Sequence, residues 1–380
     1  MIYLDNAATT FPKPAPVYDR TFRFIRESCG NPGRGGHALS AAAGSVVEDT
    51  RRRLARFLGV SDSRRVIFTA GCTDSVNLAL RGLLVPGDHA VASSLDHNSV
   101  SRPLEFLAHS RKVQITRVPF GPDHRLDPAA LRRAIGNRTK VIVLTHGSNV
   151  LGSVQPLADA VEIARGAGVP LLLDAAQTAG RIPVSEGGER VLIACAAHKG
   201  LYGLPGLGIL TVPADVELEK WRLGGTGTAS ESLEHPDEMP MRFEAGTLNA
   251  PAIAATGYGV EFIESEGMSR IHAHECSLAL RLVEFLQRDA RFQVYSGPGS
   301  GESLAVVSFN LRGVASQEVS AILDQTFGIA VRGGLHCAAV VHRQLGTVPD
   351  GTVRVSPGYF NTTDDIDALT AALAQIAAGY

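Results

Sequence analysis

The sequence predicts an α/β protein, with a large domain built on a mostly parallel central sheet and a smaller α+β domain at the carboxyl end. Short apolar runs alternate with helical patterns through the first two thirds of the chain, which is typical of βαβ units. Several of these runs are apolar without alternation, as expected for strands that are covered on both faces. After about residue 255, helices lead into shorter strands. We therefore expect a large domain over residues 15–255 and a small domain formed by residues 1–14 and 256–380.

The strands expected in the large domain lie at 65–71, 89–94, 140–149, 169–177, 190–200 and 207–212. Helical spacing of Val76, Leu80, Leu83 and Leu84 predicts a helix over 73–84. Two more helices are expected over 128–136 and 156–168. The small domain should contain, in order, helices at 252–265 and 268–288, strands at 303–311 and 329–334, and a closing helix at 363–379.

Composition excludes several classes of protein. Lys and Arg total 36 against 38 Asp and Glu, for a net charge of -2, which gives no basic patch for nucleic acid or an anionic membrane. The first residues do not resemble a signal peptide, and no run approaches the ~20 apolar residues of a membrane span. The cysteines are odd in number and scattered, which predicts free thiols in the cytoplasm and no zinc site. They are Cys29, Cys72, Cys195, Cys276 and Cys337.

Two strand ends carry the side chains that pyridoxal phosphate (PLP) chemistry needs. Asp174 ends one apolar run and Lys199 ends the next. A lysine that holds PLP as a Schiff base must lose its proton, and burial makes this easier. The pyridine ring is an electron sink while its nitrogen stays protonated, which a buried carboxylate enforces. Together the pair indicates a PLP enzyme, although Asp174 alone also fits a helix cap and Lys199 alone a solvated turn.

The segment 69–75 fits a phosphate site. A strand leads into Gly71, Cys72 and Thr73 at the expected start of a helix. Free backbone amides, the helix dipole and a hydroxyl favour a bound anion there. A plain strand-to-helix turn capped by Thr73 would have the same pattern. Because Asp174 and Lys199 together already indicate PLP, we interpret this segment as the phosphate loop.

A set of motifs occurs in an order shared with one family. They are YLDNAAT (3–9), TAGCTDSVN (69–77), DHNSVSRPL (96–104), SNVLG (148–152), LDAAQ (173–177), HKGLYGLPG (198–206), EAGTLN (244–249) and VRGGLHCA (331–338). The chain resembles class V aminotransferase-fold enzymes, most of all the group II cysteine desulfurases and selenocysteine lyases. The resemblance continues to RVSPGYFNT (354–362) and implies fold type I of the PLP-dependent transferases.

The resemblance implies a role for each motif residue. Lys199 would be the Schiff-base lysine, Asp174 would pair with the pyridine nitrogen, and His97 would stack on the ring and shuttle protons. Asn149 and Gln177 would lie near the phenolic oxygen and the substrate carboxylate. The phosphate would be held by Gly71, Cys72, Thr73 and His198. The substrate would be bound by Arg354, together with Arg332 and Asn149. Arginine suits the last task because its fork binds a carboxylate in two places.

Cys337 occupies the position of the nucleophilic cysteine in group II desulfurases. Arg332 and His336 are close by in sequence, and cationic neighbours favour the thiolate form of a cysteine. The alternative is a small buried core residue, because free cysteine is among the most buried residue types. Its place in a glycine-rich loop after a strand favours the nucleophile. We expect the other cysteines to be packing residues, apart from the backbone of Cys72 at the phosphate.

Residues 224–246 are polar and glycine-rich, without periodicity. A loop this long in a compact domain is more often functional than idle. Thr247, which follows it, resembles the residue that reaches the phosphate of the partner subunit. The resemblance therefore implies a homodimer with shared sites.

Two features depart from the group II pattern. Ala196 stands where these enzymes usually have a serine that helps to bind phosphate, so one donor is missing. The stretch 338–362 differs from that of the iron–sulfur housekeeping enzymes and looks more like a branch of desulfurase-like proteins.

The function that we expect is a cysteine desulfurase, which converts L-cysteine to L-alanine and passes sulfur from a persulfide on Cys337 to an acceptor protein or a small thiol. Other class V chemistries are the first alternative: a selenocysteine lyase, a C–S lyase that works by β-elimination, an aminotransferase or an epimerase. In an eliminating lyase, Cys337 would be dispensable. A non-catalytic scaffold is the second alternative, and the intact set of Lys199, Asp174, His97 and Arg354 argues against it.

Overall fold

The computed structural model describes residues 1–33, 35–184, 190–228, 230–297 and 302–379. In chain order the strands are β1 (Ile2–Tyr3), β2 (Val66–Thr69), β3 (His89–Ser93), β4 (Gln114–Val118), β5 (Thr139–Thr145), β6 (Leu171–Asp174), β7 (Val191–Ala196), β8 (Gly208–Thr211), β9 (Phe292–Val294), β10 (Val307–Leu311), β11 (Ile329–Ala330), β12 (Arg332–Gly334) and β13 (Thr352–Val355). The helices are α1 (Ala15–Glu27), α2 (Ala38–Phe57), α3 (Cys72–Leu83), α4 (Asn98–Arg111), α5 (Pro128–Ala134), α6 (Leu157–Ala167), α7 (Ala250–Glu266), α8 (Met268–Gln287), α9 (Ser316–Phe327), α10 (Ala339–Leu345) and α11 (Thr363–Gly379).

A seven-stranded sheet forms the centre of the molecule, in the order β2-β8-β7-β6-β5-β3-β4. Only β8 runs against its neighbours β2 and β7, while the other neighbouring strands are parallel. The prediction of a mostly parallel central sheet is therefore confirmed. The carboxyl ends of β2, β3, β5, β6 and β7 consequently lie at one edge of the sheet.

Alternate residues of the central strands enter two apolar cores, one on each face of the sheet. Leu171 and Leu173 pack with α2, α6 and α7, whereas Leu172 packs with α3 and α4. Both faces are apolar because successive side chains of a strand point to opposite faces and both faces are covered by helices. This explains why these strands appear in the sequence as continuous apolar runs.

The expected helices are present as α3, α5, α6, α7, α8 and α11, whereas α1, α2, α4, α9 and α10 were not predicted. In α3, buried Val76, Ala79 and Leu80 repeat at three- and four-residue spacing, and Asp74 in the first turn suits the positive end of the helix dipole. α6 ends at Gly168, whose φ of 66° is left-handed and favours glycine. Both helices fix the loops that precede them at the edges of the sheet.

Beyond α7 the chain forms a second, antiparallel sheet in the order β12-β13-β10-β9. Helices α8, α9 and α11 pack on it, and Leu4 of the N-terminal segment belongs to the same core. β1 pairs in parallel with β11, which supports grouping residues 1–14 with the C-terminal part. The boundary at 255/256, which lies inside α7, stays a prediction.

Some elements differ from the expected ones. The strand expected at 329–334 is divided into β11 and β12, and β4 was not identified in the sequence because it is an edge strand with half-buried, polar residues. The described part of 224–246, which omits residue 229, contains neither helix nor strand. None of the described helices is both long and apolar enough to cross a membrane.

Candidate active site

The residues predicted from the motifs converge on one pocket, with a cavity volume of about 320 Å³, at the carboxyl edge of the large sheet. Ligands in open α/β sheets bind at this edge. The candidate residues that line the pocket are Gly71, Cys72, Thr73, His97, Asn149, Asp174, Gln177, His198, Lys199, Arg332 and Arg354. Another cavity, of about 450 Å³, lies near the start of β7 and is lined by none of them.

Lys199 and Asp174 face the same pocket from neighbouring strand ends. Burial lowers the pKa of Lys199, and the Asp174 carboxylate opposes this shift. Burial raises the pKa of Asp174, against the amide of Ala176 and the charge of Lys199. One carboxylate oxygen, Oδ1, accepts from the Ala176 amide at 3.0 Å and from the Cys72 thiol at 3.8 Å. The other oxygen, Oδ2, is then available to a ring nitrogen in the pocket.

His97 is the residue before α4 and caps that helix while it lines the pocket. Its Nδ1 accepts from the amide of Ser99 at 3.0 Å. Burial, followed by the charges of Lys199 and Arg332, lowers the pKa of His97 to about 3. The ring is therefore neutral near pH 7 and carries its proton on Nε2, where it donates. His97 therefore caps α4, as the alternative interpretation of the sequence had it, and also lines the pocket.

The start of α3 offers its free amides to the pocket through Gly71, Cys72 and Thr73. β8 passes so close behind this turn that a Cβ at Gly208 would lie 2.2 Å from the carbonyl carbon of Gly71. Ala196 lines the same side and has no hydroxyl to donate.

His198 borders the same side of the pocket. Its buried Nδ1 has no hydrogen-bond partner among the described residues. Burial lowers the pKa of His198 to about 4, with Lys199 and Lys13 acting in the same direction, so the ring is neutral near pH 7. A neutral ring with an unpartnered nitrogen suits a ligand that can form a hydrogen bond there.

Arg354 is buried and already held on two sides. One terminal nitrogen lies 2.6 Å from Asp5 Oδ1, and the other donates to the carbonyl of Asn149 at 3.0 Å. Its Nε and the Oδ1 of Asn149 are buried without partners among the described residues. Sequence reasoning missed Asp5, although it lies within the YLDNAAT motif. Gln177 is fixed by a bond from its side-chain amide to the carbonyl of Ala7 at 2.9 Å.

Cys337 is exposed and is not among the residues that line the pocket, although Arg332 and His336, close to it in the chain, do line it. A terminal nitrogen of Arg332, which lines the pocket, is 3.8 Å from its Sγ. The carbonyl of Cys337 accepts a hydrogen bond from the amide of Asn98, next to His97, at 2.7 Å. His336 and Cys337 both have left-handed φ values, 49° and 56°, which are uncommon outside glycine and typical of functional sites. The alternative of a buried core cysteine is excluded by this exposure.

His336 does not supply the positive charge that the sequence suggested for Cys337. Its ring is buried, and Nε2 lies 2.9 Å from the carbonyl of Thr352. Burial and the nearby charge of Arg354 lower the pKa of His336 to about 2, so the ring is neutral. Arg332 is the cation that contacts the thiol.

Thr247 is exposed and is absent from the residues lining the pocket. Its expected contact would be made to a second subunit, so its role stays a prediction.

The pocket fits PLP by its chemistry. It combines a buried lysine, a buried carboxylate with one free oxygen, amides at a helix start, and unpartnered polar atoms of Asn149 and His198. The lysine matches an aldehyde, the carboxylate a pyridine nitrogen, the amides and His198 a phosphate, and Asn149 a phenolic oxygen.

Comparisons with known proteins agree with this chemistry. The profile of the family described as aminotransferase class-V matches residues 2–369. A cysteine desulfurase of Serratia proteamaculans is 34% identical over 99% of this chain and 93% of its own. The apo structure of a cysteine desulfurase from Thermococcus onnurineus NA1 has a TM-score of 0.93 at 30% identity, covering 100% of this chain and 95% of that one. A cysteine desulfurase structure from Escherichia coli has a TM-score of 0.88 at 27% identity, covering 98% and 94%. The protein belongs to the class V aminotransferase family.

Proposed function

We propose that this protein is a PLP-dependent cysteine desulfurase, which converts L-cysteine to L-alanine and keeps the sulfur as a persulfide on Cys337. The observation that carries the proposal is the exposed Cys337 thiol, 3.8 Å from a terminal nitrogen of Arg332, which lines the same pocket as Lys199 and Asp174. Full-length relatives with the same activity in their names support it.

In this proposal Lys199 would hold the cofactor covalently, and Asp174 and His97 would contact its ring. Gly71, Cys72, Thr73 and His198 would hold its phosphate, and Asn149 and Gln177 would lie near its phenolic oxygen. When bound, PLP supplies an electron sink that acidifies the α-proton of an amino acid substrate.

The protein's own residues orient the substrate and move its proton. Arg354 binds the substrate carboxylate through its free Nε and a terminal nitrogen, because Asp5 and Asn149 already fix the plane of its guanidinium. Lys199 Nζ takes the α-proton, since burial lowers its pKa and favours the neutral amine. His97 is less suited to this step because its neutral ring donates from Nε2. Arg332 places a guanidinium nitrogen 3.8 Å from the sulfur of Cys337.

Sulfur transfer then occurs at Cys337. Its thiolate sulfur forms an S–S bond with the substrate sulfur while the bond from Cβ to that sulfur breaks. The electron pair of the broken bond stays with the carbon skeleton, which takes up a proton and leaves as alanine. The exposed persulfide can be reached by an acceptor protein or a small thiol. The same geometry would serve selenocysteine.

The test is product analysis with L-cysteine and a reductant. Cys337→Ala should keep the visible absorption of bound PLP and lose sulfide and alanine production at least about 100-fold, because the substrate sulfur lacks its nucleophile. Cys29→Ala, which removes another exposed thiol, should behave like wild type. Wild type without an acceptor should accumulate a persulfide on the peptide that contains Cys337.

An eliminating C–S lyase would give the opposite pattern. Its products would be pyruvate and ammonia in place of alanine, and Cys337→Ala would release sulfide at the wild-type rate. That outcome would overturn the desulfurase proposal.

We also propose a homodimer in the cytoplasm. Exposure of Thr247 and of most of the loop before it supports the dimer, because these residues are available to a second subunit. A fully active monomer in sedimentation experiments would contradict the homodimer.

The proposed location in the cytoplasm rests on the cysteines. All five are free, which supports a reducing compartment.

A further inference from the structure

Lys13 is a buried cation that the proposed reaction does not use. Its side chain is 7% exposed and lies between the N-terminal segment and the loop of the catalytic lysine. Nζ donates to the carbonyl and the hydroxyl of Thr10, both at 3.1 Å, and to the carbonyl of His198 at 3.3 Å. It forms no ion pair with any carboxylate of the described residues. A buried charge without an opposite charge is costly, so its retention calls for a reason.

The contact with His198 places this charge directly behind the pocket. The same carbonyl also accepts from the hydroxyl of Thr9 and the amide of Thr10, each at 3.1 Å. His198 is thus held by its main chain against the N-terminal segment, while its ring lines the pocket. Lys13 Nζ is therefore one hydrogen bond from the main chain of a residue whose ring lines the pocket.

The residues proposed to hold the phosphate carry no full positive charge. They are Gly71, Cys72 and Thr73 at the start of α3 and His198, whose ring is neutral. The three cations of the lining are engaged elsewhere: Lys199 by the cofactor, Arg354 by Asp5, and Arg332 by Cys337. Burial alone lowers the pKa of Lys13 to about 8, and a nearby dianion would favour its charged form.

We propose that Lys13 is a positioning residue of the cofactor phosphate site, which orients His198 through its carbonyl and supplies the buried positive charge that the residues proposed to hold the phosphate lack. It compensates for the serine hydroxyl that is absent at Ala196. The inference rests on the proposed cofactor and is independent of the desulfurase reaction.

The experiment compares the binding of PLP with that of pyridoxal, which lacks the phosphate, to cofactor-free protein by absorbance titration. Lys13→Met should weaken PLP binding about tenfold while pyridoxal binding changes less than about twofold, because only the phosphate interacts with the lost charge. Lys140→Met, which removes an exposed lysine on β5, should change neither. Ala196→Ser in the Lys13→Met protein should restore part of the affinity for PLP and leave pyridoxal unchanged.

Measurements of thermal stability also distinguish a role of Lys13 in phosphate binding from a purely structural role. Inorganic phosphate should raise the melting temperature of wild type more than that of Lys13→Met, and cofactor-free Lys13→Met should be no less stable than wild type. Equal losses for PLP and pyridoxal would overturn the proposal and leave Lys13 as a purely structural residue. So would unfolding of both Lys13→Met and Lys13→Gln. None of these readouts depends on sulfide release, so a failed desulfurase assay would not affect them.

Discussion

At the scale of single residues, the substrate role proposed for Arg354 can be tested by substitution. Arg354→Lys should raise the KM for cysteine about 10- to 100-fold, because a lysine cannot contact both the substrate carboxylate and Asp5 in one plane. Initial rates of alanine formation would measure KM, and the visible absorption of bound PLP should be unchanged.

A surface exchange of the same kind is the control for that experiment. Arg281 forms a half-exposed ion pair with Asp367, and Arg281→Lys should leave KM as it is. An unchanged KM in Arg354→Lys would remove Arg354 from the substrate site.

Sequence reasoning identified the lining of the pocket but not the contacts behind it. The motifs predicted which residues would meet. Lys199, Asp174 and Asn149 follow or end strands of the large sheet, whereas Arg332 and Arg354 lie in strands of the second sheet. Asp5 and Arg354 are 349 residues apart, and their ion pair depends on the N-terminal segment lying beside β13, where Asp5 forms a bridge with Ser356. For Cys72 only the backbone was expected to have a role, at the phosphate, whereas its thiol contacts Asp174. Side-chain direction at a helix start depends on local backbone geometry that spacing does not reveal.

At the scale of elements, the packing of β8 against the start of α3 controls the phosphate site. Gly208→Ala places a methyl group 2.2 Å from the carbonyl carbon of Gly71, so the loop must move. We expect PLP affinity to fall at least about tenfold, since the amides of Cys72 and Thr73 move with the loop. An absorbance titration measures this.

Gly166→Ala is the matched control, because a Cβ at this position of α6 meets nothing within 4 Å. That variant should bind PLP like wild type and gain roughly 0.5–1 kcal/mol of stability from better helix propensity. Unchanged PLP binding in Gly208→Ala would show that the loop tolerates displacement.

At the scale of the whole molecule, the pH dependence of stability reports the buried neutral histidines. His342 is fully buried, with Nδ1 2.8 Å from the hydroxyl of Thr347, and burial lowers its pKa to about 4. In the unfolded chain its pKa is ~6.5. Between pH 6.5 and 4 the unfolded state therefore binds a proton that the folded state does not. The contribution of His342 to the free energy of unfolding falls as pH falls through this window, by about 1.4 kcal/mol per pH unit.

Comparison with His342→Gln isolates this effect. Asp96, whose pKa burial raises to about 7, acts in the opposite direction in both proteins and cancels in the difference. Urea unfolding at pH 7, 6 and 5 should show the free energy of unfolding of wild type falling relative to that of the variant. Parallel curves would contradict the buried neutral state.

The distance along the chain between Asp5 and Arg354 also sets an order in time. A ribosome adds about 5–20 residues per second, so Arg354 is made roughly 20–70 s after Asp5. The residues proposed to hold the cofactor in this chain's own pocket lie between Gly71 and Lys199. They are synthesised well before Cys337 and Arg354. A nascent chain can therefore contain the proposed cofactor-holding residues before it contains a sulfur nucleophile. Newly made protein would acquire its cofactor-holding groups first and its reactive thiol last.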